Sequence, residues 1–383
     1  MKIIFYTTDL FKGREHLMPW RTVLEVAEGM LQYGHQVIVL NGVSDNEYLY
    51  TYIYNNVEIR GISKNLKLVA NIVQKEKADA FFIECKWRDA VKGFSPLRDL
   101  TCKKYAYFTG GVYDLKSVKL LYKCSGLSSS RAYWMEVIIP KKLVVYRLKQ
   151  AMFSGVIGLS DYTTKKVLKA GFPNVKTILP GKDGFETFES DTRIIQRYGL
   201  QDRRFLCFTG APAFTRGAKL FLQAIDKAEV ENICAVFLMR TDVGSDFKDF
   251  NLAYQQMKYP ERVVLINEKL SREQLKAFFE NAWYMVLPFI VIPSEIPLTF
   301  FEIMSCGTPV ITFKNGGTSD YLNDGLFVVD KSIEGLSSGI VKAWKSEKLR
   351  LEKAKGAKQL MNGHPTWNDV TKRWMALFEK KDK

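Results

Sequence analysis

Short apolar runs alternate with amphipathic stretches along this chain, and the alternation predicts β-strands joined by helices. Residues 3–7 form an apolar run of strand length, and a loop through Gly13 follows. Trp20, Leu24, Ala27, Met30 and Leu31 then recur at helical spacing, and Gly34 closes that helix. Residues 35–41, 79–84 and 105–109 read as further buried strands, the last running into Thr109-Gly110-Gly111, where backbone can approach a ligand. A strand near 154–159 leads to a helix capped by Ser160 and Asp161 that runs to Gly171. The same plan restarts after Gly181. Residues 204–209 form a strand that ends at Gly210, and an amphipathic helix runs from Gly217 through Leu220, Phe221, Ala224 and Ile225. Strands at 235–239 and 262–266 follow, with Ser271 capping a helix to Asn281. Strands at 285–287, 309–313 and 326–329 come next, then two charged helices over about 333–360. Strand and helix in strict alternation imply parallel sheets with crossover helices, and one plan used twice implies two α/β domains around a cleft. The boundary is placed at Gly181, giving a first domain over 1–181 and a second over 182–365.

The most informative stretch is 284–322. It begins with a short apolar strand, passes a Pro-rich turn and enters a helix whose first allowed position is Pro297, where a missing N–H costs nothing. Leu298, Thr299 and Phe300 are then expected to carry free backbone N–H groups, which with the helix dipole make an anion site suited to phosphate. Glu302 stands about one and a half turns into the helix, placed to accept from ligand hydroxyls. Gly307 ends the helix, and Pro309-Val-Ile-Thr-Phe resumes as a buried parallel strand.

Ser-Glu-Ile-Pro-Leu-Thr-Phe-Phe-Glu-Ile-Met-Ser-Cys-Gly-Thr-Pro-Val-Ile, followed by Gly316-Gly317, resembles the donor-site signature of glycosyltransferase family 4, retaining enzymes of the GT-B fold. The resemblance extends to Gly-His-Gln-Val-Ile-Val-Leu at the second strand, with His35 read as structural, and to the linker at 174–183. It implies that Glu302 contacts the nucleotide ribose. A partner glutamate beside the transferred sugar is also implied. Eight positions before Glu302 stands Ser294, and the nearest carboxylate is Glu295, so either fills that place, with Glu295 named for the catalytic role. Arg216, before Gly217, matches a family lysine that contacts the donor diphosphate, and Gly13 and Gly210 are carried over as donor-binding glycines. Where the family adds an arginine after the glycine, this chain has Ala211, and Arg240 is either a second phosphate cation in its place or a surface arginine. Thr109, Gly110 and Gly111 mark the acceptor side, without the histidine that family members often carry there. The resemblance further implies a last helix over 366–383 that crosses back onto the first domain, with Trp367, Val370, Trp374 and Phe378 on one face. It implies no metal and no cofactor, the nucleotide-sugar being the substrate, and the chain has no Asp-x-Asp.

Composition narrows the alternatives. At 383 residues, 47% hydrophobic and 25% charged, the chain suits a two-domain globular protein. Its apolar start is too short for a signal peptide and reads as a strand, and the longest apolar run, 283–293, is broken by Pro288 and far below a membrane span. Six separated cysteines without Cys-x-x-Cys, and three histidines, suit reduced thiols in a cytoplasm and argue against structural zinc. The net charge of +15 is uneven: residues 1–182 hold 28 basic against 15 acidic side chains, a net of +13, and residues 183–383 hold 28 against 26, a net of +2. Within the first half, residues 103–149 carry 10 basic and 2 acidic side chains interleaved with Tyr122, Tyr133, Trp134, Val144, Val145 and Tyr146. Such a stretch is either a solvated face or a surface that meets anionic lipid headgroups at the cytoplasmic membrane face. A nicotinamide oxidoreductase lacks its Gly-x-Gly-x-x-Gly here. A nucleic-acid-binding protein would explain the charge but leave the donor-site stretch without purpose. The expected activity is therefore retaining transfer of a sugar from a nucleotide-sugar to a lipid-linked or membrane-associated glycan acceptor. A glycosyltransferase or epimerase acting on a soluble anionic acceptor is the alternative.

Overall fold

A computed structural model of the protein describes residues 1–111, 113–240, 247–292 and 296–379. The first sheet contains β1 (Lys2–Thr8), β2 (Gln36–Val43), β3 (Thr51–Tyr54), β4 (Val57–Ser63), β5 (Ala80–Cys85), β6 (Lys103–Phe108), β7 (Gly155–Gly158) and β8 (Val175–Thr177), in the order β3-β4-β2-β1-β5-β6-β7-β8. The second contains β9 (Leu206–Gly210), β10 (Ala235–Met239), β11 (Val263–Ile266), β12 (Tyr284–Leu287), β13 (Val310–Phe313) and β14 (Leu326–Val329), in the order β11-β10-β9-β12-β13-β14. Two α/β units with parallel sheets result, as the alternation predicts. One departure is β3, which pairs antiparallel with β4 at the sheet edge. Asn55 and Asn56 join the two strands with φ of 46° and 64°, the left-handed pair that a tight hairpin turn requires.

The strands are nearly continuous apolar runs because both faces of each sheet are covered. In β1, Ile3 and Phe5 face one core layer and Ile4 and Tyr6 the other, as strand periodicity demands. The first of these layers is completed from the far end of the chain. The helix Trp367–Met375 supplies Val370, Trp374 and Met375, and Phe378 follows it, all buried against β1, β5 and β6. The Trp374 ring lies 5.2 Å from Phe82, 5.4 Å from Tyr107 and 5.9 Å from Phe5. Tyr105 donates its hydroxyl to Leu377 O at 2.5 Å, and Lys103 its ammonium to Phe378 O at 2.7 Å. His364, buried ahead of that helix, bonds Pro180 O at 2.9 Å through Nε2 and the Tyr321 hydroxyl at 2.7 Å through Nδ1.

Part of the basic stretch turns out to be structural. Lys104 is buried and donates to the carbonyls of Leu97, Arg98 and Leu100. Lys141 sits 4.7 Å from the Trp87 ring and caps Glu136 O, while Val144 and Val145 are core residues. Lys116, Lys119, Lys123, Arg131, Lys142 and Lys149 remain exposed. No helix among the described residues is long and apolar enough to cross a membrane.

Candidate active site

Both sheets reverse their strand order beside their first strand. In the second sheet, β9 is followed by β10 on one side while β12 lies on the other, so the loops after β9 and β12 diverge and leave a crevice at the carboxyl ends. The first sheet does the same between β1 and β5. The residues singled out in the sequence follow these strand ends.

The loop after β9 turns at Gly210, whose φ of +131° favours glycine and whose missing side chain leaves room for the Arg216 guanidinium. Arg216 precedes Gly217 at φ +70°, where a side chain would strike Pro288 O. The loop is thereby pressed onto the chain leaving β12, and Thr215 O accepts from Ile290 N at 2.8 Å and Val291 N at 3.4 Å. Arg216 lies 5.6 Å from the Phe289 ring. Desolvation and then the neighbouring Arg240 hold its pKa below the usual arginine value. The buried Arg216 guanidinium thus feels a second cation nearby, and the backbone of Arg240 is anchored by its N–H to Gly210 O at 3.1 Å. Such a pair favours an anionic occupant.

The helix after the turn runs Leu298–Ser305, one residue later than expected. Pro297 has extended backbone (ψ 133°) and serves as the N-cap instead of the first helical residue. Phe300 N–H is not free, since it donates to Pro297 O at 3.1 Å in a tightened first turn. Leu298 and Thr299 occupy the first two helical positions, where a helix has no carbonyl of its own to offer. Ser294 and Glu295 lie outside the described residues.

Glu302 lines a narrow recess with Gly181, Lys182, Asp183, Phe185, Leu298, Phe301 and Ser305. Burial raises its pKa above the carboxylate norm and Asp183 adds to the rise, while Arg21, Arg272 and Arg240 oppose it. Asp183 belongs to the linker and is held by two partners from outside the second sheet: Arg21 Nη2 at 2.6 Å and Trp367 Nε1 at 2.8 Å. Neither Arg21 nor Asp183 was expected at the site. Arg21 gave no signal, because one arginine in a helix is ordinary, whereas Asp183 stood in the linker motif.

On the first-domain side, Gly13 has φ +90° at the tip of a turn closed by Arg14 N to Phe11 O at 2.9 Å, with open space where a side chain would point. Thr109 donates its hydroxyl to Glu84 Oε1 at 2.9 Å. Glu84, almost fully buried at the end of β5, also accepts from Thr7 Oγ1 at 2.5 Å, Thr8 N at 3.1 Å and Lys86 Nζ at 3.0 Å. It ties together the ends of β1, β5 and β6. Its clue was a lone acid closing an otherwise apolar strand. Gly110 packs loosely on Lys86, but Gly111 lies against Ile292 O so closely that no side chain fits. The structure therefore brings Gly111, expected on the acceptor side, to the chain that leads from β12 toward Pro297. Gly316 and Gly317 abut Tyr162 and Ser160 of the first domain.

Residues 190–360 match the family model described as Glycosyl transferases group 1. No curated protein matches the chain in sequence. Solved structures of GT-B enzymes superpose over nearly its whole length, and its fold is GT-B. Sucrose-phosphate synthase from Thermosynechococcus elongatus has a TM-score of 0.75 at 13% identity, covering 98% of each chain. Anabaena HepE, solved in complex with UDP, has a TM-score of 0.71 at 14% identity, over 98% of this chain and 99% of that one. WaaG, a glycosyltransferase involved in lipopolysaccharide biosynthesis, has a TM-score of 0.64 at 15% identity, over 98% and 99%.

Proposed function

We propose that the protein is a retaining glycosyltransferase that moves a hexose from a nucleotide-sugar to a glycan acceptor at a membrane surface. The observation that carries the reading is the desolvated Arg216 at the crevice end of β9, with Arg240 close enough to lower its pKa, in the stretch matched by the group 1 family model that also holds Glu302 on the helix after β12. Two fixed cations beside a helix N-terminus suit a diphosphate and stabilise it as it leaves. This role needs no bound metal. Glu302 accepts from the ribose hydroxyls. Glu295, in the turn before Pro297, faces the transferred sugar and favours the positive charge that develops at its anomeric carbon; Ser294 is the alternative for that place. UDP is the first nucleotide to try, because HepE is solved with UDP and with UDP-glucose. The domains divide near Gly181, with the acceptor bound by the first around Thr109, Gly110 and Gly111.

The acceptor surface is supported by what stays exposed. Beyond a break at Gly126, the helix Leu115–Ile138 presents Leu127 (63% exposed), Met135 (46%) and Ile138 (67%), with Arg131 between them. Tyr122 and Tyr146 are also about half exposed, near Lys123, Lys142 and Lys149. Apolar and aromatic side chains among exposed lysines suit an anionic bilayer. Turnover of UDP-sugars with and without lipid-linked and soluble acceptors tests the activity, and absence of any sugar release or transfer would refute it. Co-sedimentation with vesicles tests the surface. Binding that fails to rise with anionic lipid at low salt removes the membrane and leaves a soluble anionic acceptor.

A further inference from the structure

Lys331 follows β14 and plays no part in the reading above. Only 11% of its side chain is exposed, and its ammonium meets acceptors from both domains. From the second domain come Ile290 O at 3.4 Å and Asn315 Oδ1 at 3.2 Å. From the first come Asp114 Oδ2 at 3.4 Å and Ser117 Oγ, at the start of the helix Leu115–Ile138.

Each second-domain partner leads to the donor crevice. Ile290 belongs to the chain whose N–H groups bond Thr215 O, next to Arg216. Asn315 donates through Nδ2 to Phe289 O at 2.6 Å and Phe313 O at 3.3 Å, joining the ends of β12 and β13. The Arg216 loop, the chain 288–292 and the turn at Asn315 are thus one hydrogen-bonded unit. The first-domain partners are equally well placed. Asp114 caps its helix through Ser117 N at 2.7 Å and Ser117 Oγ at 2.8 Å, three residues after the Gly111 backbone that lies against Ile292 O.

We propose that Lys331 is a positioning residue: through Asp114 and Ser117 on one side and Ile290 and Asn315 on the other, it locks the donor-side unit against the acceptor-side glycines. This rests on the glycosyl-transfer reading, in which donor sugar and acceptor must meet across that contact within a fraction of an ångström. Removing the ammonium leaves the nucleotide contacts proposed for Arg216, Arg240 and Glu302 in place. What it loosens is the approach of the two domains.

Lys331→Met keeps the aliphatic stem, and Asp114→Asn keeps a good helix cap while removing the charge. Both variants and their double are compared with the wild type by UDP titration, UDP-glucose turnover and small-angle scattering. The expected result is a UDP Kd within about twofold of wild type and turnover about tenfold lower in each single variant, with the double no worse than Lys331→Met alone. The radius of gyration should rise in the variants. Wild-type turnover with an unchanged radius of gyration would overturn the proposal. So would UDP affinity falling in step with turnover, which would make Lys331 a support of the donor loop alone. If Lys331→Met does not fold, Asp114→Asn, on a half-exposed side chain, decides. A wild-type protein that turns over no UDP-glucose counts against the glycosyl-transfer reading with that donor, and scattering still judges the lock.

Discussion

Glu302 offers a test in which stability and affinity move in opposite directions. Its carboxyl is desolvated and stands near Asp183, and its pKa is raised above the ordinary carboxylate value. The native state therefore holds a proton on this group more tightly than the unfolded chain does. In the window between the ordinary carboxylate pKa and the raised one, the native state binds more protons, so this group's contribution to stability falls as pH rises. At neutral pH an ionised Glu302 is a cost to the fold, and Glu302→Gln should be as stable as the wild type or more so at pH 7, with the gain shrinking toward pH 4. Nucleotide affinity should move the other way. A ribose hydroxyl donating to a carboxylate contributes about 1.5–3 kcal/mol. Glu302→Ala should then weaken UDP binding roughly 10- to 150-fold. Glu302→Gln keeps a neutral acceptor and should lose about half of that free energy. Calorimetric UDP titration and urea denaturation at pH 4 and 7 measure both quantities. Wild-type UDP affinity in Glu302→Ala, or a loss of stability in Glu302→Gln that matches its loss of affinity, would refute the ligand role and leave Glu302 as a structural acid.

Arg216→Ala should weaken UDP binding by about 1.5–3 kcal/mol, and Arg240→Ala by less; unchanged affinity in Arg240→Ala returns that residue to the fold alone. Glu295→Gln should lower turnover far more than UDP affinity, and normal turnover would pass the role to Ser294. Trp374→Ala opens a cavity among Phe5, Phe82 and Tyr107 and should cost about 3–5 kcal/mol, read as a lower urea midpoint for the first domain. Burial lowers the His364 pKa from 6.5 to about 4, so the unfolded chain takes up the proton first. Stability should fall as pH drops from 6.5 toward 4, by about 3 kcal/mol in all, and His364→Gln should lose that slope.

What the sequence determined by itself is the local grammar. Buried strands announced themselves because a parallel sheet covered on both faces must be apolar throughout, and helix ends because Gly34, Ser160, Ser271 and Gly307 answer local backbone needs. The places of Arg216 and Glu302 in the fold were legible for the same reason, since each is fixed by a strand end or helix start a few residues away. The start of the donor helix was misjudged by one residue because Pro297 is compatible with a cap as well as a first turn, and the carbonyl that captures Phe300 N–H is visible only once the backbone is placed. The roles of the charged residues were decided by tertiary structure. Lys103, Lys104 and Lys141 belong to a basic run in the sequence and end up on carbonyls and over a ring, while Lys116 and Lys123 nearby stay in solvent. Arg21 meets Asp183 across 162 positions, and Lys331 meets Asp114 across 217. A charge carries no mark of its partner along the chain: its energy depends on separation in space and on how much water remains, and both are set only when the sheets and helices have packed.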